Sequence, residues 1–273
     1  MRTLASGARR TAWRGTSCQR AACGHARNAQ AFKNGSACGP TSSMSTAPHP
    51  CSQFPASCRR CRTACAEASG KKWIQFAKDG DIQLKSYIRV KSDKTIDGRG
   101  RNIRIFKHGL NISSESNIII VNLDFKKGNG GEDNDAITIR NGSHDIWIHH
   151  CSFSDYGDGL VDIKEASTDI TVSWSYFTNH DKVMLISAST KDTQDEKIRV
   201  TLHHNWFEET KQRHPRLRFG RVHAFNNYFD EWQSYGMGCS YRGQCRSENN
   251  IFNADKGKNA IIDQVGEDSK DGK

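Results

Sequence analysis

The chain has 273 residues, room for one large domain or two ordinary ones. Hydrophobic residues make up 35% of it, yet no apolar run exceeds four residues, so it can bury a core but cannot cross a bilayer as a helix. The net charge of +10 suggests nucleic acid only until it is divided: residues 1–70 carry +9, and the remaining 203 residues carry +1.

Residues 1–68 read as a basic tail, rich in Ala, Ser, Arg and Cys, nearly free of acids and without sustained periodicity. Such a segment is expected to be disordered, or to belong to a misassigned start of the chain. Arg9, Arg10 and Arg14 interrupt every apolar stretch that would serve as a secretory signal, so no signal peptide is readable. Cys58, Cys61 and Cys65 lack the regularly spaced second pair that a zinc site needs. The tail's charge comes without aromatic platforms, which argues against a nucleic-acid partner.

From Lys72 the texture changes to short strands, and one phrase recurs: NIIIVNLDF, DIWIHHCSF, DITVSWSYF, RVTLHHNWF, RVHAFNNYF and CRSENNIF. Each reads as a strand ending in Phe, at Phe125, Phe153, Phe177, Phe207, Phe229 and Phe252, with spacings of 28, 24, 30, 22 and 23 residues. A period in the twenties without helices predicts a solenoid, and the absence of a Leu/Asn consensus favours a parallel β-helix over a leucine-rich repeat. Asn122, His150, His204/Asn205, Asn226/Asn227 and Asn249/Asn250 precede the phenylalanines and suit bonding between turns. The pairs His149/His150 and His203/His204 fall on non-adjacent turns, which argues for a structural role over a metal site.

A second strand is predicted after each Phe: DAITIR, DGLVDIK, DKVMLIS and RHPRLRFG. Aligning Ile137/Ile139, Val161/Ile163, Met184/Ile186 and Leu217/Phe219 as inward pairs places Thr138, Asp162, Leu185 and Arg218 in one outward column. Asp135, Asp158, Lys182 and Arg213 stand at the leading ends of these strands. Asp135, Asp158 and Asp162 form an all-oxygen donor set suited to a hard cation such as calcium, with Lys182, Arg213 and Arg218 facing the same groove. Carboxylates and cations on one face point to a polyanion bound through a bridging metal. The competing reading is a surface salt-bridge network.

The stretches KTIDGRG, IWIHHCSF, DGLVDIK, FTNHDKVMLIS and RHPRLRFGRVHAFNNYF occur in the order found in the pectate lyases of polysaccharide lyase family 1, which residues 73–252 resemble. The resemblance implies an all-β, right-handed single-stranded parallel β-helix over residues 69–273, incomplete at its ends and truncated at the C-terminus. It implies β-elimination on polygalacturonate or pectin, with calcium held by Asp135, Asp158 and Asp162 and Asp133 as a further candidate ligand. Arg213 matches the family's catalytic base, and Lys182 and Arg218 match residues that bind substrate carboxylate. His214 and Pro215 are expected to hold the turn. An arginine base works against a guanidinium pKa above about 12, so an alkaline optimum is implied. The alternative is that Arg213 stabilises enolate-like charge while water or hydroxide takes the proton.

The chain departs from the family pattern at His149, where Asp is usual, and at both ends. A catalytically impaired, pectin-binding relative is therefore the second reading, and a structural or nucleic-acid-binding protein driven by the tail is the third. The family implies an extracellular protein, and the sequons at Asn111 and Asn141 are compatible with secretion. Cys239 and Cys245 share a loop and suit either a disulfide or free thiols, whereas Cys151 reads as a buried single thiol. No oligomer signal is visible, and a monomer with no membrane or nucleic-acid partner is expected.

Overall fold

A computed structural model describes residues 65–131, 133–254 and 258–263. The expectations for residues 1–64, including tail disorder and the reading of Cys58 and Cys61 against a zinc site, lie outside the described residues. Packing begins before residue 69: residues 65–67 make a short helical turn, and Ala66 is buried against the core with its carbonyl accepting the Lys91 N–H.

The chain winds through about eight turns and contributes one strand per turn to each of three eight-stranded sheets. All pairings are parallel. The first sheet runs from Lys72–Gln75 to Gln244–Glu248, the second from Gly80–Gln83 to Ile251–Asn253, and the third from Ile88–Arg89 to Asn259–Ile262. This is the expected parallel β-helix, but with three strands per turn where the sequence suggests two. Each phrase ending in Phe is two strands, as in His144–His149 and Ser152–Ser154.

The bend between them rests on one left-handed residue per turn. Asn122, His150, Trp174, His204, Asn226 and Asn249 all have φ between 50° and 57°. Asn and His tolerate this region better than most residues, and Trp174 occupies it because the neighbouring turns fix the corner. Inward alternation resumes directly after the bend, so the sequence period conceals it.

Inside, like stacks on like. The rings of Phe125, Phe153, Phe177, Phe207, Phe229 and Phe252 lie nearly parallel, with centroids 4.6 to 5.1 Å apart. That spacing is the inter-strand distance itself, so register alone aligns the rings. Beside them runs a polar ladder. Ser175 N–H donates to Asn205 Oδ1 at 3.0 Å, Asn205 N–H to Asn227 Oδ1 at 3.0 Å, and Asn227 N–H to Asn250 Oδ1 at 2.8 Å. The structure thus separates the paired polar residues: the first of each pair turns the chain, and the side chain of the second bonds the preceding turn. Buried amides are tolerated here because each is satisfied by its neighbour.

Candidate functional site

The candidate site residues gather on the third sheet and the turns that enter it. Its strands Ile137–Arg140 and Val161–Ile163 alternate apolar residues toward the core with polar residues outward, and Asp162 pairs with Thr138 across them. Asp135 and Asp158 sit in the turns that enter these strands. One rung later, Lys182 bridges to Gly159. On the next rung the Arg213 carbonyl accepts the Met184 N–H at 2.8 Å. The expected leading-end residues Asp135, Asp158, Lys182 and Arg213 therefore occupy successive turns of one corner.

Asp135 and Asp162 are buried and converge on Gly159. A Cβ built on Gly159 would lie 2.4 Å from Asp162 Oδ1 and 3.0 Å from Asp135 Oδ1, so only glycine leaves the space between the two carboxylates open. Asp135 Oδ1 accepts the Gly159 N–H and Oδ2 the Thr138 hydroxyl, both at 2.8 Å. Burial pushes the Asp135 carboxyl above its ordinary range despite these bonds. Burial and then the Asp135 charge push Asp162 well above it. Two ionised carboxylates in this cradle repel each other, and a cation between them would remove that cost.

Asp158 is half-buried, and burial opposes its charge. Lys182 Nζ donates to its Oδ1 at 2.8 Å, and that contact prevails, holding the carboxyl below its ordinary range. The backbone N–H of Asp133 donates to Asp158 Oδ2 at 3.3 Å, and His180 Nε2 donates to the Asp158 carbonyl at 2.6 Å. The Asp133 side chain is exposed, 4.0 Å from Lys164 Nζ. Among the described residues, no three His, Cys, Asp or Glu side chains already stand at metal-ligand separation. The fit of a hard cation rests on the open carboxylate cradle at Gly159 and on its all-oxygen chemistry.

Arg213 is half-buried with φ 67°, and a cis peptide follows between His214 and Pro215. The His214 ring is buried, its Nδ1 within 3.0 Å of the Tyr235 carbonyl and 2.9 Å of the Gly236 carbonyl. Burial lowers its pKa to about 4, so it stays neutral, with its ring edge-on to Phe207 and Phe229. This is the turn-holding part expected of it.

One alignment changes. Leu217 pairs with Ile186 and Arg216 with Leu185, so the column after Thr138, Asp162 and Leu185 continues with Arg216, not Arg218. The register follows from Met184, whose N–H meets Arg213 and whose carbonyl accepts the Arg216 N–H at 2.9 Å. Arg218 falls two residues further on, just past the end of the strand Arg216–Leu217. It is buried, with its Nη1 donating to the Ser187 carbonyl at 3.2 Å.

Sequence reasoning does not single out Lys164, which stands beside Asp133, nor Tyr87, whose hydroxyl lies 2.6 Å from the Asp133 carbonyl and 2.9 Å from Asn134 Oδ1. Lys164 was legible as the residue two beyond Asp162 on the same face. Tyr87 comes from 46 residues away and carries no local signal. His149 lies on the first sheet, its Nδ1 2.8 Å from Ser173 Oγ, on a different face from these carboxylates. Cys239 and Cys245 form a disulfide. Cys151 is buried, and burial pushes its thiol up to about 12.

The family profile described as pectate lyase matches residues 62–272. Pectate lyase 4 of Ambrosia artemisiifolia is 40% identical over 198 residues, covering 66% of this chain and 50% of that protein. Pectate lyase 1 of Chamaecyparis obtusa is 37% identical over 217 residues, covering 71% of this chain and 58% of that one. The chain thus spans about half the length of the plant relatives it matches. The crystal structure of jun a 1, the major allergen from cedar pollen, superposes with a TM-score of 0.65 at 28% identity, covering 81% of this chain and 75% of its own. A pectate lyase bound to hexasaccharide superposes with a TM-score of 0.58 at 26% identity, over 66% of this chain and 58% of its own. By profile, relatives and fold, this chain belongs to the pectate lyase family.

Proposed function

We propose that the protein is a calcium-dependent pectate lyase that cleaves (1,4)-α-D-galacturonan by β-elimination and leaves 4,5-unsaturated oligogalacturonates. The observation that carries this reading is the open cradle of Asp135 and Asp162 at Gly159, with Asp158, Lys182 and Arg213 on the adjoining turns. Asp135, Asp162 and Asp158 would hold calcium, with Asp133 at the exposed edge. Calcium held there would supply Lewis-acid chemistry that makes the C5 proton beside a uronate carboxylate more acidic.

The chain's own side chains do the rest. Lys182 and Arg218 are assigned to substrate carboxylate, Lys182 by exchanging its contact with Asp158 for one with the sugar. Arg213, in its neutral guanidine form, takes the C5 proton and becomes guanidinium; the C5–H electron pair forms the C4–C5 double bond as the C4–O4 bond breaks, and the leaving oxygen takes a proton from water. His214 fixes the backbone from which Arg213 projects. The impaired-relative reading rests on His149 and on the departures at both ends; His149 stands on the first sheet, away from these carboxylates, which removes the first of those two grounds from the site.

An extracellular location fits the Cys239–Cys245 disulfide and the exposed Asn141 sequon. No helix among the described residues is long and apolar enough to cross a membrane. The test is mass spectrometry of the products from polygalacturonate incubated with the protein, with calcium and with a chelator. Elimination leaves oligomers one water lighter than hydrolysis products, and only when calcium is present. Saturated products, or cleavage indifferent to the chelator, would overturn the reading.

A further inference from the structure

Next to the carboxylate corner, on the earlier turns of the third sheet, lies a pocket of about 420 Å³ lined by Tyr87, Arg89, Lys91, Asn111, Ser113 and Arg140, with Glu115 at its edge. It shares a face with the site. Arg89 pairs with Asn111, Asn111 with Thr138, and Thr138 with Asp162, so Arg89 stands three rungs before Asp162 in one outward column. In the parallel column Ser113 pairs with Arg140, and the Lys164 N–H donates to the Ile139 carbonyl, which places Lys164 one rung beyond Arg140. Tyr87 forms the shared wall, since it lines the pocket while its hydroxyl meets the Asp133 carbonyl.

The charges in the pocket are unevenly committed. Glu115 is engaged by Lys91 Nζ at 2.8 Å and by the Ser92 N–H and hydroxyl at 2.8 and 2.6 Å. That pairing neutralises Lys91 and leaves Arg89 and Arg140 in excess. Arg89 is exposed, and its guanidinium has no carboxylate partner among the described residues; only its backbone N–H meets Glu67. Arg140 keeps a buried Nε with no hydrogen-bond partner among the described residues. A buried guanidinium nitrogen without an acceptor is costly, and a planar carboxylate is the acceptor that a guanidinium fork matches best.

We infer that this pocket is a distal subsite for a uronate carboxylate of the same galacturonan chain, roughly two or three sugars from the cleaved bond. The inference rests on the proposed lyase reading. Rungs repeat at about 4.8 Å, so the span from Asp162 to Arg89 suits an extended sugar chain laid along the axis of the coil. The pocket then sets a preference for longer oligomers and leaves the chemistry at Arg213 untouched.

The test compares tri- and hexagalacturonate on wild type, Arg89→Ala, Arg140→Gln and Arg140→Lys, with calcium. Turnover is followed by unsaturated product, and binding by calorimetry in an Arg213→Ala background. The expected result is a roughly tenfold rise in KM and Kd for the hexamer with Arg89→Ala, unchanged kcat, no effect on the trimer, and partial recovery in Arg140→Lys relative to Arg140→Gln. Arg89 is exposed, so its variant remains informative should Arg140→Gln fold poorly. An unchanged hexamer KM and Kd, or an equal loss with the trimer, would overturn the subsite. Absent turnover with retained hexamer-over-trimer binding that falls in Arg89→Ala would sink the lyase reading and leave the subsite standing.

Discussion

The corner between the first and second sheets and the outer face of the third obey opposite rules. At the corner each turn repeats its neighbour: phenylalanine on phenylalanine, and the amides of Asn205, Asn227 and Asn250 on one another. On the third face the outward residue changes at nearly every rung, from Arg89 to Asn111, Thr138, Asp162, Leu185 and Arg216. Stacking identical groups satisfies packing and hydrogen bonding at one spacing, which is why repetition stabilises a coil. The proposed binding of a polyanion through a cation needs unlike charges placed once each, and the third face carries unlike side chains on successive turns. On the proposed reading, stability and chemistry fall to different faces of the same turns.

Substitutions sharpen the contrast. Arg213→Ala is expected to lower kcat by about a thousandfold while the unfolding midpoint stays put, checked by product absorbance beside thermal melting. Phe207→Ala removes one ring from the middle of the stack and is expected to cost about 3–5 kcal/mol in denaturant unfolding. Residual activity of the folded fraction should then be near normal.

His214 joins the two regions, since it packs edge-on against Phe207 while holding the Arg213 turn. Its folded pKa of about 4 lies below the ordinary 6.5, so the unfolded chain binds the proton first. The stability it contributes is complete above about 6.5 and is lost as pH falls toward 4, by roughly 3 kcal/mol. In His214→Asn the difference in unfolding free energy between pH 7 and pH 4 is expected to shrink by about that amount. An unchanged pH dependence would remove the buried neutral imidazole from the account. Asn227→Ala breaks the ladder on both sides and is expected to cost about 2–3 kcal/mol, read by the same unfolding curves. The smallest effect belongs to Cys239→Ser/Cys245→Ser, about 2 kcal/mol for so short a loop.

Much of this division was legible in the sequence, and the gaps have physical causes. The Phe phrase exposed the solenoid because its interior demands repetition. It concealed the third strand because a single left-handed residue such as His150 bends the chain without breaking the inward alternation around it. On the site face, the positions of Asp135, Asp158, Lys182 and Arg213 were readable because each stands two or three residues ahead of a third-sheet strand. Arg218 was set in the wrong column because Leu217 and Phe219 both look like inward partners, and only the hydrogen bonds of Met184 decide the register. Tyr87 and Arg89 were invisible because their placement beside the site face depends on contacts with later turns.

The most direct test follows unsaturated uronate absorbance from polygalacturonate at alkaline pH with calcium, for wild type and Arg213→Ala, with unfolding midpoints taken on the same samples. The account predicts product from wild type alone and equal midpoints for both proteins. A folded wild type that releases no unsaturated product, or an Arg213→Ala protein that matches its rate, would contradict it.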